Sequence, residues 1–194
     1  MSNIIRVKYK RLKIMEKHAF SRIVEGYRER LFMHLVPIVK VLVLLMMANG
    51  APVILKRLLG ARLAFPVDGN IPFADGRPIF GPSKTIRGVI ISLAVTAAIA
   101  PALGLDWRVG LLIAVAAMAG DLLSSFIKRR AGLSSGGMAL GLDQIPESLF
   151  PLLVVRGDLD LTAGDIVAGV AGFLVGELLL SQILYRFGVR DRPY

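Results

Sequence analysis

The sequence predicts an all-α integral membrane protein with about five transmembrane helices and two polar cytoplasmic loops. Three observations predict it. Apolar residues make up 55% of the 194 positions, and mean hydropathy is +0.64. Several apolar runs are long enough to cross a hydrocarbon core of about 30 Å. The runs are uniformly apolar rather than alternating, which excludes lipid-facing barrel strands and leaves helices, whose backbone bonds close internally.

The elements follow in order. Residues 1–30 form a basic N-terminal arm with nine Lys/Arg against three Glu. It is no signal peptide, because it lacks an uninterrupted apolar core, and it reads as a surface-lying or disordered segment. Residues 31–194 read as one helical membrane domain, with spans expected near Leu35–Leu55, Gly88–Leu105, Val109–Ile127, Gln144–Val155 and Leu161–Tyr185. The fourth of these is short. Lys56, Arg57, Arg62, Arg77, Lys84 and Arg87 lie before the second span, and Lys128, Arg129 and Arg130 follow the third. The positive-inside rule makes both loops cytoplasmic. Asp158 and Asp160 suit an outer connection, and Arg186, Arg190 and Arg192 suit an inner C-terminus. Five crossings then put the N-terminus outside, against the charge of the arm. Three resolutions are open: an incomplete first crossing, a basic arm tolerated outside, or a start at Met15 or Met33.

The net charge of +10 points to anionic membrane lipid, not to nucleic acid, because the cations cluster beside apolar runs. With no cysteine, the chain has no disulfide, thiol nucleophile or thiolate metal site. Thr162 and Asp165 have capping-box spacing. Gly172 and Gly176 form a GxxxG pair, and Ala114, Ala116, Ala117 and Ala119 suit close helix packing. Glu177 is an acid within an apolar run and reads as a packing partner more readily than a functional group. His18 and His34 have neither ligand spacing nor a nearby acid cluster.

The chemistry gathers in the two loops. The stretch from Gly120 to Leu149 sets acids inside two apolar segments and joins them by a basic, glycine-rich loop. Charge at bilayer depth is costly and marks function. Asp121 precedes Lys128 by seven residues, about two helical turns, while Asp143 and Glu147 stand one turn apart. Asp121, Asp143 and Glu147 are candidate hard-oxygen ligands for Mg²⁺, which takes one or two protein carboxylates together with substrate phosphates. The competing reading pairs these acids with Lys128 or Arg129. Gly132, Gly136, Gly137 and Gly141 permit close backbone approach, and Ser134 and Ser135 can donate to phosphate oxygens. In the first loop Gly81-Pro-Ser-Lys-Thr85 leads into the second span, so Lys84, Thr85 and Arg87 fall near a helix N-terminus, a place that favours phosphate. The glycine spacing is not that of a Walker A loop.

These residues resemble the CDP-archaeol synthases, relatives of the CDP-diacylglycerol synthases among CTP:lipid-phosphate cytidylyltransferases. The likeness covers most of Ala48–Tyr194. It is carried by Ala48-Asn-Gly-Ala-Pro52, Asp75-Gly-Arg-Pro-Ile-Phe-Gly81, Ser83-Lys-Thr-Ile-Arg-Gly88, and Gly120-Asp121 through Lys128-Arg129 to Leu142-Asp143-Gln144. Ser125, Lys128, Arg129 and Asp143 match the bacterial diacylglycerol signature. Ser134-Ser135 replaces its Lys-Asp, its His-Gly-Gly element is missing, and the loop is shorter. The shorter loop and Leu-Asp-Gln element are similar to the archaeol enzymes, with Pro146-Glu147 where those carry another acid.

The resemblance implies a nucleotidyltransferase of phospholipid biosynthesis that uses CTP, a lipid phosphate and Mg²⁺ at a cytoplasmic site. Asp121, Asp143 and Glu147 would hold metal. Lys84, Lys128 and Arg129 would carry catalysis on the phosphates. Asn49, Asp75, Ser83, Thr85, Arg87, Ser125 and Gln144 would contact substrate. Two other readings are a CTP-dependent polyprenol or phytol kinase, and a noncatalytic transporter or lipid-binding protein whose acids form salt bridges.

Overall fold

The computed structural model describes residues 2–134 and 139–188. The expectations placed on Ser135, Gly136, Gly137, Arg190 and Arg192 lie outside them. Five α-helices follow one another: α1 (Ser2–Leu59), α2 (Ile86–Ile99), α3 (Trp107–Arg130), α4 (Gln144–Val154) and α5 (Ala163–Arg186), with a 3₁₀ turn at Ala100–Leu103 after α2. Two compact units divide the chain. Met1–Val36 is helical throughout its described length, and Pro37–Tyr194 contains the rest.

Side chains at the helix ends start and stop the helices. The Thr85 hydroxyl accepts from the Gly88 amide to begin α2, and the Asp106 carboxylate accepts from the Arg108 amide to begin α3. Thr162 and Asp165 form the expected capping box at α5. Each satisfies amides that the first helical turn leaves without a carbonyl.

Four stretches are long and apolar enough to cross a membrane: Phe32–Leu59, Ile86–Leu103, Trp107–Arg130 and Ala163–Arg186. The helix α4, in the fourth expected span, has 11 residues, about 16 Å of axis. It starts beside Gly120, within the length of α3, and its distal end continues through turns that bring Leu159 and Leu161 into the apolar core. That core is built from Val41, Leu44 and Leu45 of α1, Ile113 and Ala117 of α3, Leu152 of α4 and Phe173 of α5.

Small residues set the helix spacing. A Cβ on Gly110 would lie 2.7 Å from the Thr96 carbonyl oxygen, so α2 and α3 touch backbone to backbone. A Cβ on Gly169 would lie 2.8 Å from Leu152 of α4. The GxxxG pair packs as expected, with Gly172 facing Leu42 and Gly176 facing Met46 of α1.

Candidate active site

The first loop is shaped by its backbone. Val67 donates to the Lys84 carbonyl at 2.8 Å and Ile86 donates to the Phe65 carbonyl at 2.9 Å, so two short extended segments pair. Asp68 follows at once and is buried in a mostly exposed loop. Its Oδ2 accepts from the amides of Phe80 and Gly81, both at 2.8 Å, and its Oδ1 accepts from Asn70 at 3.1 Å. Burial opposes the charge, but the amides of Gly81, Phe80 and Asn70 outweigh it and hold the carboxyl below its ordinary 3.8. Lys84 donates its amide to the Gly81 carbonyl, closing the turn that carries its side chain.

That side chain reaches α3. Lys84 Nζ lies 2.5 Å from Asp121 Oδ1. Burial works against the ammonium, yet Asp121 beside it prevails, and the pKa is raised above 10.5. One turn past Asp121, Ser124 donates to the carbonyls of Gly120 at 2.9 Å and Leu142 at 2.8 Å, joining α3 to the segment before α4. Gly120 lets α4 approach further, because a Cβ there would stand 2.3 Å from the Pro146 carbonyl oxygen. Asp143 is thereby delivered to Lys128, with Nζ 2.7 Å from Oδ1, while Oδ2 accepts from the Ala139 amide at 2.9 Å. Glu147 is buried one turn later, within electrostatic reach of Asp121, Glu177, Lys84 and Asp143. Arg129 lies in the field of Asp143 and donates to the Ser134 carbonyl at 2.8 Å.

Six of the predicted residues therefore gather at one place: Lys84, Asp121, Lys128, Arg129, Asp143 and Glu147. The pairing reading holds for Asp143 with Lys128, while Asp121 is held by Lys84 of the first loop instead. Among the described residues no three acids converge closely enough to form a metal cage by themselves. The other candidates divide. Gln144 is fully buried; its Oε1 accepts from the Gly141 amide at 2.7 Å, and among the described residues its Nε2 has no hydrogen-bond partner. Both amide atoms of Asn49 are likewise buried without a hydrogen bond to the described residues. Ser125 is buried on α3, and Ser83 is exposed. The Thr85 hydroxyl is engaged in capping α2. The Ile86 amide is bonded to Phe65, so few amides of this helix start are left for a phosphate. Arg87 donates to the Gly60 carbonyl at 2.6 Å and to the Arg62 carbonyl, tying α2 to the end of α1.

Asp75 pairs with Arg130, with Nη1 2.5 Å from Oδ1. The Arg130 guanidinium also sits over the rings of Phe73 and Phe126 and donates to the Pro78 carbonyl at 2.5 Å. In return Arg77 donates to the Arg130 carbonyl at 2.6 Å. The two arginines fasten the first loop to the end of α3. Asp68 and Ser124 were not flagged by sequence reasoning, and Arg77 and Arg130 were counted among the loop cations without a role of their own. The partners of all four include backbone groups, which leave no trace in residue identity.

Comparison with known proteins identifies this architecture. The profile of the CarS-like CDP-archaeol synthase family matches residues 32–194. The chain belongs to the CDP-archaeol synthase family. A CDP-archaeol synthase of Hyperthermus butylicus is 43% identical over 107 residues, 50% of this chain and 59% of that protein. One of Sulfurisphaera tokodaii is 30% identical over 155 residues, 77% of this chain and 90% of that protein. A solved structure described as an intramembrane enzyme for archaeal membrane lipids biosynthesis superposes with a TM-score of 0.59 at 30% identity, over 71% of this chain and 90% of the other. The motif resemblance and the all-helical membrane fold are thus borne out together. The N-terminal arm lies ahead of the family match.

Proposed function

We propose that this CDP-archaeol synthase family member joins CTP to an archaeol-type isoprenoid glycerol phosphate, forming a CDP-lipid and pyrophosphate, with Mg²⁺, at a site facing the cytoplasm. The observation that carries the reading is the convergence of Lys84 from the first loop on Asp121 of α3, beside the Lys128–Asp143 pair. The cations on both loops support the sidedness.

An oxygen of the lipid phosphate forms the new bond to the α-phosphorus of CTP, and the bond from that phosphorus to the β-phosphate oxygen breaks, so pyrophosphate leaves with the electron pair. A phosphate monoester has a second pKa of about 6, so the nucleophile is largely dianionic at neutral pH. No protein base is needed. Alignment and charge neutralisation are the remaining tasks. Lys84, Lys128 and Arg129 hold phosphate oxygens, and the paired carboxylates keep these cations in place before substrate arrives.

The donor set fits Mg²⁺. Asp121 and Asp143 offer hard oxygens with lone pairs beyond those used on Lys84 and Lys128, and two carboxylates suffice when substrate phosphates complete the shell. Asp121 and Asp143 would hold the ion, which would supply charge neutralisation for the transferring group. Glu147 adds a third acid nearby without completing a three-acid cage among the described residues. Among the described residues Gln144 Nε2 and the Asn49 amide lack hydrogen-bond partners, which supports a role for them in contacting substrate.

The test is incorporation of CTP labelled at the α-phosphate by purified protein, given paired ether and ester lipid phosphates. Labelled CDP-lipid with release of pyrophosphate is expected. No CDP-lipid with any lipid phosphate overturns the reading, and transfer of the γ-phosphate with release of CDP would make the protein a lipid kinase.

A further inference from the structure

The buried carboxylate of Asp68 stands about fifty residues before Asp121 of α3 and makes no hydrogen bond to it, yet it governs a residue that does. We propose that Asp68 is a positioning residue: by pinning the Phe80 and Gly81 amides it shapes the Gly81–Lys84 turn and sets where the Lys84 ammonium stands over Asp121. The proposal rests on the reading of Lys84 as a phosphate-handling group.

The geometry argues it in three steps. First, the partners of Asp68 are backbone amides, and none of the ion pairs among the described residues includes it. A carboxylate buried at 7% exposure without a cation is retained for what its oxygens hold. Second, its contacts are placed to define one turn. The Phe65–Val67 backbone fixes the far side of the turn at Lys84 and Ile86, and the carboxylate fixes the near side at Phe80 and Gly81. Gly81, at φ +92°, adopts a conformation natural to glycine and held only by its surroundings. Third, adjacent amides aimed at one oxygen form an anion seat. The protein fills that seat with its own side chain, so a substrate phosphate meets the Lys84 side chain instead of the Phe80–Gly81 amides. Without the carboxylate, two parallel amide dipoles would repel each other, the turn would open, and the Lys84 stem would shift relative to α3.

The experiment compares Asp68→Ala and Asp68→Asn in the full chain, each with Lys84 intact and with Lys84→Ala. Hydrogen exchange reads the turn without reference to activity: the Phe80 and Gly81 amides are expected to exchange about tenfold faster in Asp68→Ala, the equivalent of one net hydrogen bond, with α3 and α5 unchanged. CDP-lipid formation reads the coupling. With Lys84 present, Asp68→Ala should lose about 10- to 100-fold in turnover; in the Lys84→Ala background it should lose less than about threefold, because the route of action is already gone. Unchanged exchange at Phe80 and Gly81, or equal losses in both backgrounds, overturns the proposal. Asp68→Asn, which keeps one acceptor oxygen, makes the same comparison if the alanine variant does not fold. Should the native protein form no CDP-lipid, the functional reading fails, and the exchange measurement still decides whether Asp68 holds the turn.

Discussion

Gly120→Ala is the sharpest test of how the site is assembled. The added methyl would stand 2.3 Å from the Pro146 carbonyl oxygen, 2.5 Å from its carbon and 2.7 Å from the Glu147 nitrogen, all of them backbone atoms that no rotamer change can move. Restoring ordinary contact requires α4 to retreat by roughly 1 Å, judged against normal carbon to oxygen approach. The helix carries Gln144 and Glu147 and follows directly on Asp143, so the retreat separates that group from Asp121 and Lys84. A displacement of that size costs about 100-fold in turnover, and overpacking destabilises by about 1–3 kcal/mol. Initial rates of CDP-lipid formation at saturating CTP and lipid phosphate measure the first, and thermal unfolding in the same detergent measures the second. Gly157→Ala is the control, because nothing lies within 4 Å of its Cβ. A Gly120→Ala protein within about threefold of native turnover and unchanged in melting temperature would refute the argument that backbone contact of α3 and α4 fixes the site.

Three further outcomes are expected. Asp143→Asn should reduce Mg²⁺-dependent turnover by more than about 100-fold while the protein stays folded, and chelation of divalent cations should do the same to the native protein; near-normal activity in the variant would remove Asp143 from the metal site. Because the pKa of Lys84 is raised above 10.5, the ammonium is protonated in both folded and unfolded chains below that pH. Its contribution is complete at neutral pH and is lost as pH climbs through the raised folded value. The melting-temperature gap between native protein and Lys84→Met should therefore stay constant from about pH 6 to 9 and close above 10.5. Arg130→Ala should destabilise more than Asp75→Ala: the exposed ion pair alone contributes at most about 1 kcal/mol, whereas the arginine also loses two aromatic faces and a carbonyl contact; equal melting temperatures would contradict this.

The helices and the acidic residues were legible because their physics is local. Lipid demands long apolar helices, and a carboxylate such as Asp121 stands out against them. Capping at Thr162–Asp165 was readable for the same reason, being complete within four residues. The pairing of Lys84 with Asp121 spans 37 positions, and no periodicity announces it. Asp75 shows the same limit. Its motif suggested substrate, while its pairing with Arg130 was not legible, because only the fold reveals that α3 ends where this loop passes. The half-length of α4 was visible as a short apolar run, while the contact of Gly120 with Pro146 that seats it against α3 depends on which helix faces which.

The depth of the acids has a consequence for the lipid. Asp121 lies nine residues before the end of α3, about 14 Å along its axis. Drawing a lipid out of a bilayer costs about 0.8 kcal/mol for each methylene brought into water, a sum no phosphate contact could match. The centre proposed at Asp121 is also reached by Lys84, which stands just before the second span, so a lipid phosphate could be met there from the membrane edge. The tails could then stay in hydrocarbon while the water-soluble nucleotide comes to them.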